Sequence, residues 1–156
     1  MDSVIVSGAA TSNDANHISG PSRTGEELSF AIKNALVEAG LTPADIGYIS
    51  AHGTATPYND EMEARAISLS GLSQVPVNSF KGYWGHTLGA AGIIESVAAV
   101  QSLRHNLLIS SAGFADCGVS VPINIIKRNE ALPLNACLKT ASGFGGCNAA
   151  ALYQKI

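Results

Sequence analysis

Apolar and polar positions change their period several times along this chain, and the changes lay out its elements. Val4-Ile5-Val6 is a short apolar run closed by Ser7-Gly8, which predicts a strand. Thr11 to Arg23 is polar, holds Gly20 and Pro21, and predicts a long loop. Leu28, Ala31, Ile32, Ala35, Leu36 and Ala39 then fall at helical spacing. Thr24-Gly25-Glu26-Glu27 ahead of them has the capping-box pattern, and Gly40 supplies a stop. Thr42-Pro43-Ala44-Asp45 predicts a capped single turn. Ile46 to Ser50 predicts a strand whose end delivers Ala51-His52-Gly53-Thr54 to a loop.

Asn59-Asp60 opens a second helical stretch, with Met62, Ala66 and Leu69 on one face and Gly71 as its stop. Val75-Pro76-Val77-Asn78 predicts a short strand. Lys81 to His86 reads as a Gly-rich loop leading into a helix from Leu88 to Leu103, with Thr87 as N-cap. Leu107-Leu108-Ile109 predicts another strand, and Ser111 to Arg128 one extended piece carrying Val119, Val121, Ile123, Ile125 and Ile126. Ala136 to Ala141 and Ala149 to Gln154 predict two strands joined through Ser142-Gly143-Phe144-Gly145-Gly146-Cys147-Asn148. Strand and helix alternate and a hairpin closes the chain, which predicts an α/β domain with a mixed sheet. Ligands in such sheets sit at the carboxyl ends of strands. His52 and the Lys81–His86 segment both follow strands, so both are expected on one edge.

Composition changes the picture in one respect. Of 156 residues, 46% are apolar and 13% charged, which is little polar surface for so short a chain. Part of the surface is therefore expected to lie against another domain or subunit. The net charge of -3 gives no basic footprint for nucleic acid. Cys117, Cys137 and Cys147 form an odd set without a CxxC pair, which points away from a disulfide framework and towards a reducing compartment. The first residues carry no signal-peptide pattern, and the apolar stretch from Leu88 to Val100 is broken by Glu95 and Ser96. The expectation is a cytoplasmic protein without a membrane segment.

Candidate chemistry gathers in three places. His52 sits in a turn stiffened by Gly53 and Pro57. With Thr87 as cap, His86 would stand just outside a helix N-terminus, beside unpaired N–H donors, with Lys81 in the same loop. Glu95 lies in Gly92 to Val100, otherwise apolar or small. A carboxylate there is either on a narrow exposed stripe or buried with a partner, and Lys81 and His86 are the nearest candidates. Gly143-Phe144-Gly145-Gly146 is either an ordinary hairpin or a turn that presents backbone N–H groups as half of an oxyanion hole. It joins two strands, so it is not a dinucleotide fingerprint. His17 is expected to face solvent and His105 to end a helix; neither makes a metal-ligand spacing with a cysteine. No metal or cofactor is expected. Cys147, after the glycine turn, is either a nucleophile or, as is commoner for such a Cys, a small buried residue.

In this order, Ser12-Asn13-Asp14-Ala15, His52-Gly53-Thr54-Ala55-Thr56-Pro57, Asn59-Asp60 with Glu63, Lys81 with Gly85-His86-Thr87-Leu88-Gly89-Ala90-Ala91-Gly92, and Gly143-Phe144-Gly145-Gly146 with Asn148 resemble the C-terminal half of β-ketoacyl synthases. The match runs over essentially the whole chain. The resemblance implies a single domain over residues 1–156: one half of a thiolase-like fold, a mixed five-stranded sheet with helices on it, and the other half absent. It implies acyltransferase chemistry, a decarboxylative condensation of an acyl thioester with malonyl-acyl carrier protein in fatty acid or polyketide synthesis.

By the same resemblance, His52 and His86 hold the malonyl thioester carbonyl, Lys81 is the active-site lysine, and Glu95 is the acid that accompanies it. Thr54 belongs to the His52 motif. Phe144, between Gly143 and Gly145, is the gating aromatic, and its N–H an oxyanion-hole donor. The nucleophilic Cys belongs to the family's N-terminal half, so none is expected in this chain. The implied partners are that half, acyl carrier protein, and a second copy in a dimer of the full enzyme. Thr140-Ala141-Ser142 departs from the family's Asn-Ser-Phe, and Cys147 stands where the family has Thr. The alternatives are a half-length, non-catalytic partner subunit of a condensing enzyme, or a thiolase; the His52–His86 pair favours the decarboxylating type.

Overall fold

The computed structural model describes residues 3–156; Met1 and Asp2 lie outside the described residues. Among those residues a six-stranded sheet runs in the order β1 (Val4–Asn13), β8 (Cys147–Lys155), β7 (Ala136–Gly143), β2 (Tyr48–Ser50), β3 (Pro76–Asn78) and β5 (Asn124–Ile125). β2 pairs parallel with both β7 and β3, and β3 with β5, while β8 runs antiparallel to β7 and β1. The sheet is mixed, as expected. It has six strands where five were expected, and β5 closes the far edge with two residues.

Side chains alternate across this sheet. Ile49 of β2 and Leu138 of β7 face one core, built with Leu28, Ile32 and Leu36 of α1 (Glu26–Ala39) and Met62 and Ile67 of α2 (Pro57–Leu69). Their neighbours Tyr48 and Cys137 face the other core, with Ala99 and Leu103 of α4 (Ala91–His105). Leu107–Leu108 (β4) and Glu130–Ala131 (β6) make a small separate ladder. No helix among the described residues is long and apolar enough to cross a membrane.

Several expectations give way to packing. β1 extends to Asn13, well into the segment expected to be a loop, because β8 offers it a full ladder with one register shift between Val6 and Gly8. Of Ser111 to Arg128 only Asn124–Ile125 is strand. The Thr24 capping box does not form: α1 begins after Gly25. A Cβ on Gly25 would lie 2.5 Å from the Met62 carbonyl of α2, so close approach of the two helices places the helix start there. α2 starts at Pro57, ahead of Asn59, and Leu69 is exposed while Met62 and Ala66 are buried. Thr42-Pro43-Ala44-Asp45 does form its capped turn.

Candidate active site

β2 and β3 are parallel neighbours, so their carboxyl ends leave the sheet together. The Ala51 N–H still donates to the Asn78 carbonyl, at 2.8 Å, and His52 follows. Gly53 then turns with φ 43 so close to Ser79 that a Cβ would lie 2.6 Å from the Ser79 Cβ. After β3 the chain enters a single helical turn, α3 (Lys81–Trp84), where a loop was expected. A short 3-10 turn, Leu88–Ala90, precedes α4. The rings of His52 and His86 meet edge to face, centroids 5.1 Å apart and planes at 82°.

Thr87 does not cap a helix: no side-chain bond forms, and its Oγ1 is buried without a hydrogen-bond partner among the described residues. His86 supplies the acceptor instead. The Leu88 N–H donates to His86 Nδ1 at 3.1 Å, so Nδ1 carries a lone pair and a neutral ring has its proton on Nε2. Leu88 itself has φ 52, and Ala55, three residues after His52, has φ 57. Non-glycine residues in this region are strained, and here they sit in the two turns that carry the histidines.

Lys81 fills its three donor sites on one cluster. Its Nζ is 2.6 Å from Glu95 Oε1, 2.5 Å from the His52 carbonyl and 3.2 Å from His52 Nδ1. An ammonium has no acceptor, so Nδ1 of His52 is again the lone-pair nitrogen and Nε2 bears the proton. Glu95 is fully buried on the inner face of α4, and its second oxygen lies 2.6 Å from Lys139 Nζ. Burial alone would raise the Glu95 carboxyl; the Lys139 and Lys81 ammonium groups outweigh it and hold the group below its ordinary range. Burial first, and then the charges of Lys81 and Lys139, push the His52 imidazole down to about 3.

Glu63 braces this arrangement from α2. Its carboxylate accepts the N–H groups of His52 and Gly53, each at 2.8 Å, and the Thr140 hydroxyl at 2.5 Å. The Thr54 N–H donates to Asp60 at 3.1 Å, which ties down the rest of the turn. Glu63 and Lys139 had no role assigned from the sequence. A signal existed for Lys139: it is a lone charge in Ala136-Cys137-Leu138-Lys139-Thr140-Ala141, a central strand of otherwise apolar or small residues, which is the reasoning that singled out Glu95.

The glycine turn stands farther out. Phe144 is 84% exposed at its tip. The Gly145 N–H donates to the Ile18 carbonyl at 2.6 Å, so that donor is already engaged. Asp14 and Asn148 fasten the turn to the loop after β1, with Asn148 Nδ2 donating to Asp14 and the Asp14 N–H to the Gly146 carbonyl. Gly143 pairs with Cys147 at the end of the ladder. Cys147 is exposed rather than buried, because alternation along β8 turns Asn148 inward and Cys147 out. His17 is exposed, and His105 ends α4. No group of acidic, His and Cys residues able to hold a metal occurs among the described residues.

Parallel strands present two histidines and a lysine at their carboxyl edge, and an antiparallel hairpin closes this α/β domain. The family described as beta-ketoacyl synthase, C-terminal domain, matches residues 3–115, and the chain belongs to it. Over 159 residues it is 33% identical to 3-oxoacyl-[acyl-carrier-protein] synthase 2 of Vibrio cholerae serotype O1, covering 97% of this chain and 38% of that protein. Among solved structures, a ketosynthase in complex with its chain length factor from Xenorhabdus doucetiae superposes with TM-score 0.91 at 33% identity, covering 98% of this chain and 39% of that one. A type II polyketide acyl carrier protein in complex with its ketosynthase gives 0.86 at 30% identity, covering 97% and 38%. The chain spans well under half the length of the relatives it matches.

Proposed function

We propose that this chain supplies the decarboxylating half of a β-ketoacyl synthase site. The observation that carries the reading is the His52–His86 pair: two imidazoles in contact, each with Nδ1 engaged and Nε2 free to donate. Two such donors on the carbonyl oxygen of a malonyl thioester stabilise the enolate that forms as CO₂ leaves. The enolate carbon then bonds to the carbonyl carbon of an acyl thioester held on a cysteine; the C–S bond breaks and the thiolate departs. That cysteine belongs to the half outside this chain: Cys137 is buried, with its thiol pushed up to about 12, and neither Cys117 nor Cys147 makes a hydrogen bond to His52 or His86 among the described residues.

The malonyl group arrives on acyl carrier protein, and the Cys-bearing half of the enzyme packs against α4. Tyr83, Trp84, Leu88, Ile93, Ile94 and Val97 are exposed apolar residues on α3, α4 and the turn between them, and they form the surface left for that half to cover. By itself the chain performs no condensation.

The test uses the chain together with the Cys-bearing half. His86→Ala is expected to lower CO₂ release from malonyl-acyl carrier protein by about 100-fold or more, the scale of one positioned proton donor. Acyl transfer to the cysteine should persist. An unchanged rate of CO₂ release rejects the reading, and so does condensation by the isolated chain.

A further inference from the structure

The charges buried around His52 form a set that balances without it. Lys81 of α3 and Lys139 of β7 bring two ammonium groups, Lys139 drawn below its ordinary range by burial and held against that by Glu95; Glu63 of α2 and Glu95 of α4 bring two carboxylates. His86 faces the ring from the turn before α4, and Asp60 lies beyond Thr54 on α2. Lys139 is the member that touches neither histidine ring, and it is 3% exposed. Its Nζ lies 2.6 Å from Glu95 Oε2, 2.7 Å from the Thr140 carbonyl, 3.2 Å from the Ala51 carbonyl and 3.3 Å from the Ser50 carbonyl. Four oxygens and no donor surround it, which is the cage of a cation. Ser50 and Ala51 are the two residues immediately before His52.

We infer that Lys139 is a positioning residue for His52: its ammonium ties the end of β2 to β7 and Glu95, and completes a charge-balanced set in which His52 stays neutral with its proton on Nε2. A second proton on His52 would add a charge with no counter-ion on a ring that is itself buried. Remove Lys139, and one negative charge is left over beside a ring able to accept a proton. An imidazolium would lose the Lys81–Nδ1 hydrogen bond, and the ring would turn. The direction of the His52 shift agrees, since Lys81 and Lys139 both lower it after burial. The importance of this for catalysis rests on the decarboxylation reading; the placement of the proton does not.

Nitrogen NMR of labelled histidine in the 156-residue chain tests the placement directly. In the wild type, the His52 ring is expected to keep its neutral, Nε2-protonated pattern down to pH 5. In Lys139→Met its titration is expected to move up towards the ordinary imidazole value of about 6.5, with burial and Lys81 still holding it below that value. Adding Glu63→Gln to Lys139→Met restores the balance and should return the neutral pattern. In Lys139→Ala, ammonium chloride should refill the cage and restore it where choline chloride does not. Protonation of wild-type His52 above pH 6 overturns the inference whether or not any variant folds, as does an unmoved titration in a folded Lys139→Met. With the Cys-bearing half present, the acid limb of CO₂ release should move up by a pH unit or more in Lys139→Met. If the NMR result holds and this limb does not move, the function reading fails and the placement stands.

Discussion

Glu95 holds two cations that approach it from different elements, Lys81 from α3 and Lys139 from β7. Replacing it with leucine would leave both ammonium groups buried and unpaired, so Glu95→Leu is expected to cost about 3–5 kcal/mol, read as the shift in a urea midpoint. A midpoint within error of the wild type would make Glu95 a surface acid. His52 makes the opposite kind of contribution. Its folded pKa, about 3, is below the ordinary 6.5, so between those values the unfolded chain binds a proton that the folded chain does not. Stability therefore falls as pH drops below 6.5, by up to about 1.4 kcal/mol per unit, and the loss levels off near 3. In His52→Gln this slope should be absent from the pH dependence of unfolding, relative to wild type; an identical slope would show that other groups carry it.

The turns after β2 and β3 act as one element, since Ser79 Oγ donates to the Gly53 carbonyl at 2.7 Å and Lys81 bonds the His52 carbonyl. Gly53→Ala meets Ser79 and places a side chain at φ 43. It is expected to lower stability by about 1–3 kcal/mol, the range of a strained backbone position, in thermal unfolding. It should also change the His52 NMR signals; a shift in stability alone would mean that the turn yields without moving the ring. A second clip joins α2 to the segment before β5: Glu61 accepts both the N–H and the hydroxyl of Ser120, and Arg65 pairs with it. The Ser120 bonds, ahead of Arg65, draw the Glu61 carboxyl down to about 2 from the model-compound value of 4.5. This clip is present above pH 4.5 and released as pH falls towards 2. Hydrogen exchange at the Ser120 amide should accelerate over that window, beyond the change in intrinsic rate.

For the whole molecule, the low charge content goes with exposed apolar residues, among them those of α3 and α4. Ile93 and Val97 are one helical turn apart on the outer face of α4. If α4 is the face proposed for the Cys-bearing half, Ile93→Glu with Val97→Lys should weaken binding to that half at least tenfold in titration calorimetry, and leave the His52 titration where it was. Equal affinity would move the interface elsewhere. The opposite side of the sheet is covered by α1 and α2, which close their own core over it.

Local signals in the sequence determined α1, the Thr42–Asp45 turn, the hairpin of β7 and β8, and the arrival of His52 and His86 on one edge. Each follows from periodicity, from a stop residue, or from the order of strands in an α/β chain. They also marked Glu95, because a lone charge among apolar neighbours needs a partner. The sequence offered Lys81 and His86 as its candidates; the tertiary structure chose Lys81 and added Lys139. Lys81 lies 14 residues from Glu95 in sequence, Lys139 reaches it from β7, and Glu63 grips His52 from a helix that follows it. It also decided the helix starts: a capping pattern at Thr24 lost to the close approach of Gly25 and α2, and Thr87 gave way to His86 as the acceptor at its turn. The physical reason is the same in each case. Capping and periodicity are local and weak, whereas burying four charges beside a neutral imidazole is a long-range balance that only packed elements can strike.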